Sequence, residues 1–411
     1  MNIKEAKIEI INTVKAYLKK DKHGSYLIPQ VRQRPLLLIG PPGVGKTQIM
    51  EQVADECHIG LVSYTITHHT RQTAVGLPFI KEKTYDGKAY SVTEYTMSEI
   101  ISTIYEQMEK TSLREGILFI DEINCVSETL APTMLQFLQC KTFGNQEVPG
   151  GWIIVAAGNP PEYNKSVREF DVVTLDRVRQ IPVEADYGVW KEYAATVGIH
   201  RAIRSYLDIH PDNFYRMETD TDGRHFVTAR GWEDLSNLIS IYHDEGIAVT
   251  KDVIYEYLFH REVAEDFAEY LDLYYKYEEE YPTDEILNGS APGIIYERLI
   301  NAGFDERITV VELIVTALLK KISQYFSDKE EGAAEKRDRV AAMIENSFSF
   351  IEDAFTSESE MVLFVTELTL SADAVMFFLE APSKKYLEYS SRYLTGSNRG
   401  ELLDEIRRSK A

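Results

Sequence analysis

The sequence predicts an α/β fold over residues 1–195, followed by a helical region that extends to the end of the 411-residue chain. Three short apolar runs, at residues 36–39, 117–120 and 153–157, are typical of strands buried on both faces of a parallel sheet. Segments with helical periodicity alternate with these runs, as in domains that carry helices on both faces of a sheet. The chain is too long for one ordinary hydrophobic core, so we expect two or three domains.

The other elements are predicted in chain order from periodicity and from turn residues. Asp86-Gly87 separates two short β-prone runs and is among the strongest short-range signals for a β-hairpin. We expect helices at residues 1–20, 97–110 and 127–139, a polar connection at 21–34, a strand at 60–67, a hairpin at 79–95, and mostly helices through 199–250 and 251–411.

Composition and charge argue against several classes of function. The net charge of −22, with no long Lys/Arg block, makes nucleic acid an unlikely main partner, because binding to phosphates needs a basic surface. No apolar run approaches the roughly 18–20 residues of a membrane span, and the N-terminal segment is amphipathic rather than a signal peptide. Cys57, Cys125 and Cys140 lack metal-ligand spacing, and we expect a cytoplasmic protein without disulfides.

Residues 40–47 have the G-x-x-x-x-G-K-T pattern of a phosphate-binding loop, between a predicted strand and a predicted helix. The glycines allow backbone N–H groups to converge on anionic oxygens, and the helix that follows directs its positive end toward them. Lys46 is expected to reach the β- and γ-phosphates of a nucleotide, and the Thr47 hydroxyl to bind Mg²⁺. The predicted cofactor-binding residues of this loop are Gly40, Pro41, Pro42, Gly43, Val44, Gly45, Lys46, Thr47 and Gln48.

Polar side chains follow the other two apolar runs. Asp121 and Glu122 come directly after residues 117–120, and Asn159 follows residues 153–157. In open α/β folds ligands bind at the carboxyl edge of the sheet, so we expect the three side chains to meet there. Asp121 would bind Mg²⁺, Glu122 would polarise the attacking water, and Asn159 would hold that water or the γ-phosphate.

The order of five motifs, GPPGVGKT, ILFIDEIN, AAGNP, TLDR and TARGWEDL, resembles the AAA+ ATPases, and within them the MoxR and dynein-related branch. The resemblance covers about residues 25–250. It implies a Rossmann-like ATPase domain, a helical lid, and a ring, usually a hexamer, with ATP at the subunit interfaces. In this family Asn159 matches sensor 1, Arg177 matches the arginine finger and Arg230 matches sensor 2.

Two of these matches depart from the family pattern. The residue after the finger is usually Phe and here is Val178, and Arg168 is an alternative finger. Sensor 2 commonly follows Pro, whereas Ala229 precedes Arg230 here.

The resemblance also implies a division of the chain. It predicts an ATPase domain at residues 1–195 and a helical lid at 196–325, and the charge and periodicity of the remaining sequence predict an acidic helical region at 326–411. Residues 76–95 would be the helix-2 insert and residues 140–152 the pre-sensor-1 hairpin, two segments that tend to face the pore of the ring.

The predicted function is Mg²⁺-dependent ATP hydrolysis in a ring-shaped assembly of identical subunits, coupled to remodelling of a protein partner. The family resemblance suggests a von Willebrand A-type partner. The alternatives are a nucleotide-binding switch or scaffold with little turnover and a motor on nucleic acid, which the acidity disfavours. GTP is disfavoured because residues 164–167 lack the Asp that would bond the guanine edge.

Overall fold

The computed structural model describes residues 1–68, 70–143, 146–163, 167, 170–221, 223–327 and 333–394. The chain divides into two compact units, Met1–Val189 and Trp190–Ala411, which we call the first and the second unit. The predicted domain boundaries at 195/196 and 325/326 remain predictions.

The first unit alternates helices and strands as its sequence pattern predicts. Its elements are α1 (Ile3–Tyr17), β1 (Leu36–Ile39), α2 (Gln48–Cys57), β2 (Gly60–Thr65), α3 (Arg71–Val75), β3 (Pro78–Tyr85), β4 (Lys88–Tyr95), α4 (Glu99–Thr111), β5 (Gly116–Asp121), α5 (Ala131–Cys140), β6 (Thr142–Phe143), β7 (Gln146–Glu147), β8 (Trp152–Gly158), α6 (Val172–Leu175), β9 (Arg179–Pro182) and α7 (Tyr187–Val197), which continues into the second unit.

Five of these strands form one parallel sheet in the order β2-β5-β8-β1-β9. Its strands are apolar because both faces are covered: Leu37 and Leu118 belong to one hydrophobic cluster, and Leu36 and Phe119 to another. The predicted α/β fold class is confirmed. Since the strands are parallel, the ends of β1, β5 and β8 reach one edge of the sheet, where the predicted site residues follow them.

Two small hairpins lie outside this sheet. β3 and β4 pair from Pro78 with Tyr95 to Tyr85 with Lys88, which confirms the predicted hairpin. Its turn residues Asp86 and Gly87 both have positive φ, 51° and 75°, as a two-residue type I′ turn requires. The segment predicted as a pre-sensor-1 hairpin contains the short pair β6–β7, and residues 144–145 between these strands lie outside the described residues.

Helix α5 begins later than its periodicity predicts. The prediction began at residue 127, but residues 127–130 form turns, in which Leu130 N–H donates to the Ser127 carbonyl at 3.0 Å. Pro132 lies in the first turn of α5, where its missing N–H costs no helical hydrogen bond.

The second unit is mostly helical. Its elements after α7 are α8 (Arg201–Ile209), β10 (Arg216–Thr219), β11 (Arg224–Val227), α9 (Ala229–Asp244), α10 (Lys251–Leu258), α11 (Arg261–Glu280), α12 (Thr283–Leu287), α13 (Gly293–Asn301), α14 (Phe304–Ser327), α15 (Ala333–Ala354), α16 (Glu358–Leu370), α17 (Ala372–Glu380) and α18 (Lys384–Tyr393). The antiparallel pair β10–β11 was not expected, because its short strands are rich in polar residues.

Six charged side chains meet inside the second unit and join α7, α8, α14 and α16. Arg201 Nη1 lies 3.1 Å from Glu312 Oε2 and 3.0 Å from Glu367 Oε2, and Glu312 and Glu367 are fully buried. Three carboxylates of this ion cluster lie within 4.8 Å of one another, but three basic side chains already contact them, so we assign no metal ion to them. The ion cluster consists of Lys191, Arg201, Arg204, Asp208, Glu312 and Glu367.

Among the helices that the structure describes, none alone is long and apolar enough to cross a membrane. Helices α16 and α17 meet the length and composition criteria only as a pair, with an 89° bend between them. The side chains of Phe364 and Phe377 from this pair are buried in the core of the second unit.

Candidate functional site

The loop of residues 40–47 connects the end of β1 to the start of α2, as its sequence pattern predicts. Gly43 and Gly45 have φ of 75° and 89°, a conformation that glycine adopts without strain. A Cβ on Gly40 would lie 2.5 Å from the Val183 carbonyl oxygen, so only glycine allows the loop to pass this close to the chain that follows β9. The glycines thus form the cradle that a chain of phosphates needs.

Lys46 is buried and its ammonium group crosses the loop. Nζ donates to the carbonyls of Gly40 at 2.8 Å and Pro41 at 2.7 Å, and to Asn159 Oδ1 at 3.0 Å. The structure therefore brings together two predicted site residues that are 113 positions apart. A cation held between this loop and the end of β8 suits contact with phosphate oxygens.

Thr47 and Asp121 form the second contact across the sheet edge. The Thr47 hydroxyl donates to Asp121 Oδ2 at 2.9 Å, and the other carboxylate oxygen accepts the N–H of Glu122 at 2.8 Å. A hydroxyl beside a carboxylate is the oxygen donor set that Mg²⁺ prefers, so these residues fit the predicted metal role. Bound there, Mg²⁺ would neutralise charge on the phosphates.

Glu122 follows β5 with a φ of 57°, in the left-handed region that non-glycine residues rarely adopt. Such conformations are typical of functional sites, where the surrounding structure enforces them. The Thr67 hydroxyl, just beyond β2, donates to Glu122 Oε2 at 2.9 Å. Glu122 thus lies beside Asp121 at the sheet edge, with its carboxylate held by a neighbour that the sequence did not indicate.

Asn159 directly follows β8, and a second asparagine fixes its backbone. Asn124 Nδ2 donates to the Asn159 carbonyl at 2.8 Å, and the Asn159 N–H donates to Asn124 Oδ1 at 3.3 Å. Asn124 is nearly fully buried. It stands inside the ILFIDEIN motif, and the signal that could have revealed it is a polar side chain two residues beyond the acidic pair.

The predicted arginines take part in other contacts. Arg177 is exposed between α6 and β9 and donates to Gln139 Oε1. The alternative finger, Arg168, lies outside the described residues. Arg230 belongs to the second unit, exposed in the first turn of α9, which Thr228 caps by accepting the N–H of Gly231 at 3.2 Å. The predicted roles of Arg177 and Arg230 stay predictions.

The parallel sheet and the glycine loop with its Lys-Thr pair define a P-loop NTPase fold. Residues 36–174 match the family model described as ATPase family associated with various cellular activities (AAA). The matched segment contains the loop, the acidic pair and Asn159. It supports an AAA+ ATPase, and with it ATP binding, usually with Mg²⁺. No curated protein matches the chain.

Proposed function

We propose that the chain is a Mg²⁺-dependent ATPase of the MoxR and dynein-related branch that works as a ring of identical subunits and remodels a protein partner. The contact between Lys46 and Asn159, together with the contact between Thr47 and Asp121, carries the catalytic part of this proposal. These pairs supply a cation, an amide, a hydroxyl and a carboxylate at one edge of the sheet. Phosphoryl transfer needs mainly positioning and charge stabilisation of this kind.

In this proposal each residue has one task. The loop amides and Lys46 bind the phosphates, and Thr47 and Asp121 hold Mg²⁺. Glu122 accepts the proton of the attacking water, and Asn159 contacts the γ-phosphate and orients that water against it. Arg230 acts as sensor 2.

A shared site between neighbouring subunits explains the position of Arg177. Its side chain is exposed, and Val172 and Val173, five and four residues before it in the chain, are 81% and 56% exposed. Exposed apolar residues in the same segment as an exposed arginine suit contact with a second copy of the chain. Across that contact Arg177 would neutralise charge on the neighbour's γ-phosphate, an effect worth about 10³–10⁵ in rate in related enzymes.

The β3–β4 hairpin is the proposed contact with a protein partner. In the part of the chain that the structure describes it forms a separate two-stranded sheet, and it carries the half-exposed aromatic residues Phe79, Tyr85 and Tyr90. Exposed aromatic residues are typical of protein-binding surfaces. A von Willebrand A-type domain is the partner that the family resemblance suggests.

A switch with little turnover is the second candidate. The observation that favours it is the hydrogen bond from Thr67 to Glu122, which occupies an oxygen of the proposed base. ATP would then bind without rapid hydrolysis until a conformational change frees the carboxylate.

The experiment measures ATPase rate per subunit against protein concentration, with oligomer size determined in parallel, for the wild type and Arg177→Ala. The control is Arg179→Ala, because Arg179 binds Glu9 and Thr13 within its own unit. We expect wild-type activity to rise with ring formation, and only Arg177→Ala to lose turnover while it retains ATP binding. Activity independent of concentration, or full activity of Arg177→Ala, would refute the shared site. ATP binding without turnover at any concentration would favour the switch.

A further inference from the structure

Asn124 is a buried polar residue at the site to which the predicted chemistry gives no task. It lies three residues after Asp121, and only 5% of its surface is exposed. A buried carboxamide must satisfy its own donors and acceptor, so its partners indicate its role.

Both partners of Asn124 are main-chain groups of one residue. Nδ2 donates to the Asn159 carbonyl at 2.8 Å, and Oδ1 accepts the Asn159 N–H at 3.3 Å. A carboxamide is suited to this task because it offers a donor and an acceptor side by side. The pair of bonds fixes the Asn159 peptide groups on both sides of its Cα.

The Asn124 carboxamide packs closely against the end of β8. A Cβ on Gly158 would lie 2.5 Å from Asn124 Oδ1 and 2.8 Å from Asn124 Cγ, so the carboxamide lies directly against the backbone of β8. On the other side, Pro160 restricts Asn159 to an extended backbone. Asn159 is therefore held between a proline and a buried side chain.

We infer that Asn124 is a positioning residue, whose two hydrogen bonds to the Asn159 backbone hold the Asn159 side chain at Lys46 and thereby set how the site distinguishes ATP from ADP. The side chain so placed contributes Oδ1, which lies 3.0 Å from Lys46 Nζ. This inference rests on the proposed function, because it assigns Asn159 the contact with the γ-phosphate. A misplacement of about 1 Å in such a group can lower turnover by roughly 10²-fold.

Two variants of the full-length protein separate this role from general packing. Asn124→Ala removes both hydrogen bonds, and Asn124→Asp keeps the shape and the acceptor but places an oxygen against the Asn159 carbonyl. The matched control is Asn346→Ala in the second unit, because Asn346 also donates to a backbone carbonyl, that of Leu287, at 2.9 Å, and packs against a glycine.

The first readout is the dissociation constant of ADP divided by that of AMPPNP, a nonhydrolysable ATP analogue. We expect both Asn124 variants to reduce this ratio by about tenfold through lost contact with the γ-phosphate, with turnover reduced roughly 10- to 100-fold. Hydrogen exchange of the Asn159 amide should accelerate in Asn124→Ala. The Asn346→Ala control should change none of these quantities, whatever its melting temperature.

A double-mutant cycle tests whether Asn124 acts through Asn159. In an Asn159→Ala background, Asn124→Ala should not lower the ratio or the turnover further, because the side chain it positions is gone. Additive losses would overturn the inference. So would a wild-type ratio in a folded Asn124→Asp, whose side chain has the same shape as that of Asn.

The outcomes also separate this inference from the proposed function. If the wild type binds neither nucleotide, the proposed function fails. If the wild type binds AMPPNP more tightly than ADP and the Asn124 variants do so equally well, only the positioning role fails.

Discussion

The ion cluster of the second unit makes Glu367→Gln a strongly destabilising change. Glu367 is fully buried on α16. Its carboxylate forms ion pairs with Arg204, with Arg201 at 3.0 Å and with Lys191 at 3.1 Å. Burial alone would raise the pKa of its carboxyl, but the charges of the three basic side chains outweigh burial and lower that pKa. The substitution keeps the volume and removes a negative charge that all three cations contact.

The loss of stability follows from the buried positive charge that the substitution leaves without a partner. Removing one partner of a buried ion pair leaves uncompensated buried charge and costs about 3–5 kcal/mol. A matched control lies on the same helix, where Glu358 is 64% exposed and pairs with Arg392, which is 58% exposed. Glu358→Gln should cost no more than about 1 kcal/mol, because water screens exposed pairs.

The assay is equilibrium unfolding in urea, followed by tryptophan fluorescence. Trp190 and Trp232 lie in the second unit and Trp152 in the first, so a Trp152→Phe background reports on the second unit alone. We expect the midpoint for Glu367→Gln to fall far below that for Glu358→Gln, with a similar slope. Equal midpoints for the two variants would show that the cluster is not the buried ionic network described above.

Three further predictions concern the site and the cluster. Thr67→Val should raise basal ATPase activity severalfold in steady-state assays, because it frees the Glu122 carboxylate; an unchanged or lower rate would show that the hydrogen bond does not restrain the base. Gly40→Ala should abolish ATP binding in titrations, because its Cβ would lie 2.5 Å from the Val183 oxygen. Burial, with repulsion from the neighbouring carboxylate, raises the pKa of Glu312 from 4.5 to about 7, so its ionisation opposes folding and stability from this group falls as pH rises through that range. Glu312→Gln should remove this fall in unfolding free energies measured from pH 4.5 to 7.5, and an identical pH profile would contradict it.

The predictable part of this protein is the part whose signals are local. A glycine loop that ends in Lys46-Thr47 occupies consecutive residues, and parallel strands deliver whatever follows them to one edge of the sheet. That rule predicted that Asp121 and Asn159 would lie near the loop, and the structure shows both within hydrogen-bond distance of it. The hairpin was predictable for the same reason, since its turn residues are adjacent.

The remaining features depend on contacts between distant positions. Thr67 meets Glu122 across 55 residues, and Asn124 meets Asn159 across 35, without any pattern in the sequence that pairs them. The ion cluster also depends on such contacts, because Arg204 and Glu367 are 163 residues apart. Glu367 stands in a helix whose sequence does not mark it as buried, so only the packing of that helix reveals it.

The most direct test of the account is ATP turnover by the wild type and by Glu122→Gln, with ATP affinity measured for both in the presence of Mg²⁺. Gln keeps the shape of the side chain but cannot accept the proton of the attacking water. We expect the wild type to hydrolyse ATP, and the variant to bind ATP at least as tightly while its turnover falls by about 10²–10⁴-fold, the usual contribution of a general base. A variant that retains wild-type turnover, or a wild type that binds Mg²⁺-ATP in its assembled form without hydrolysing it, would contradict the account.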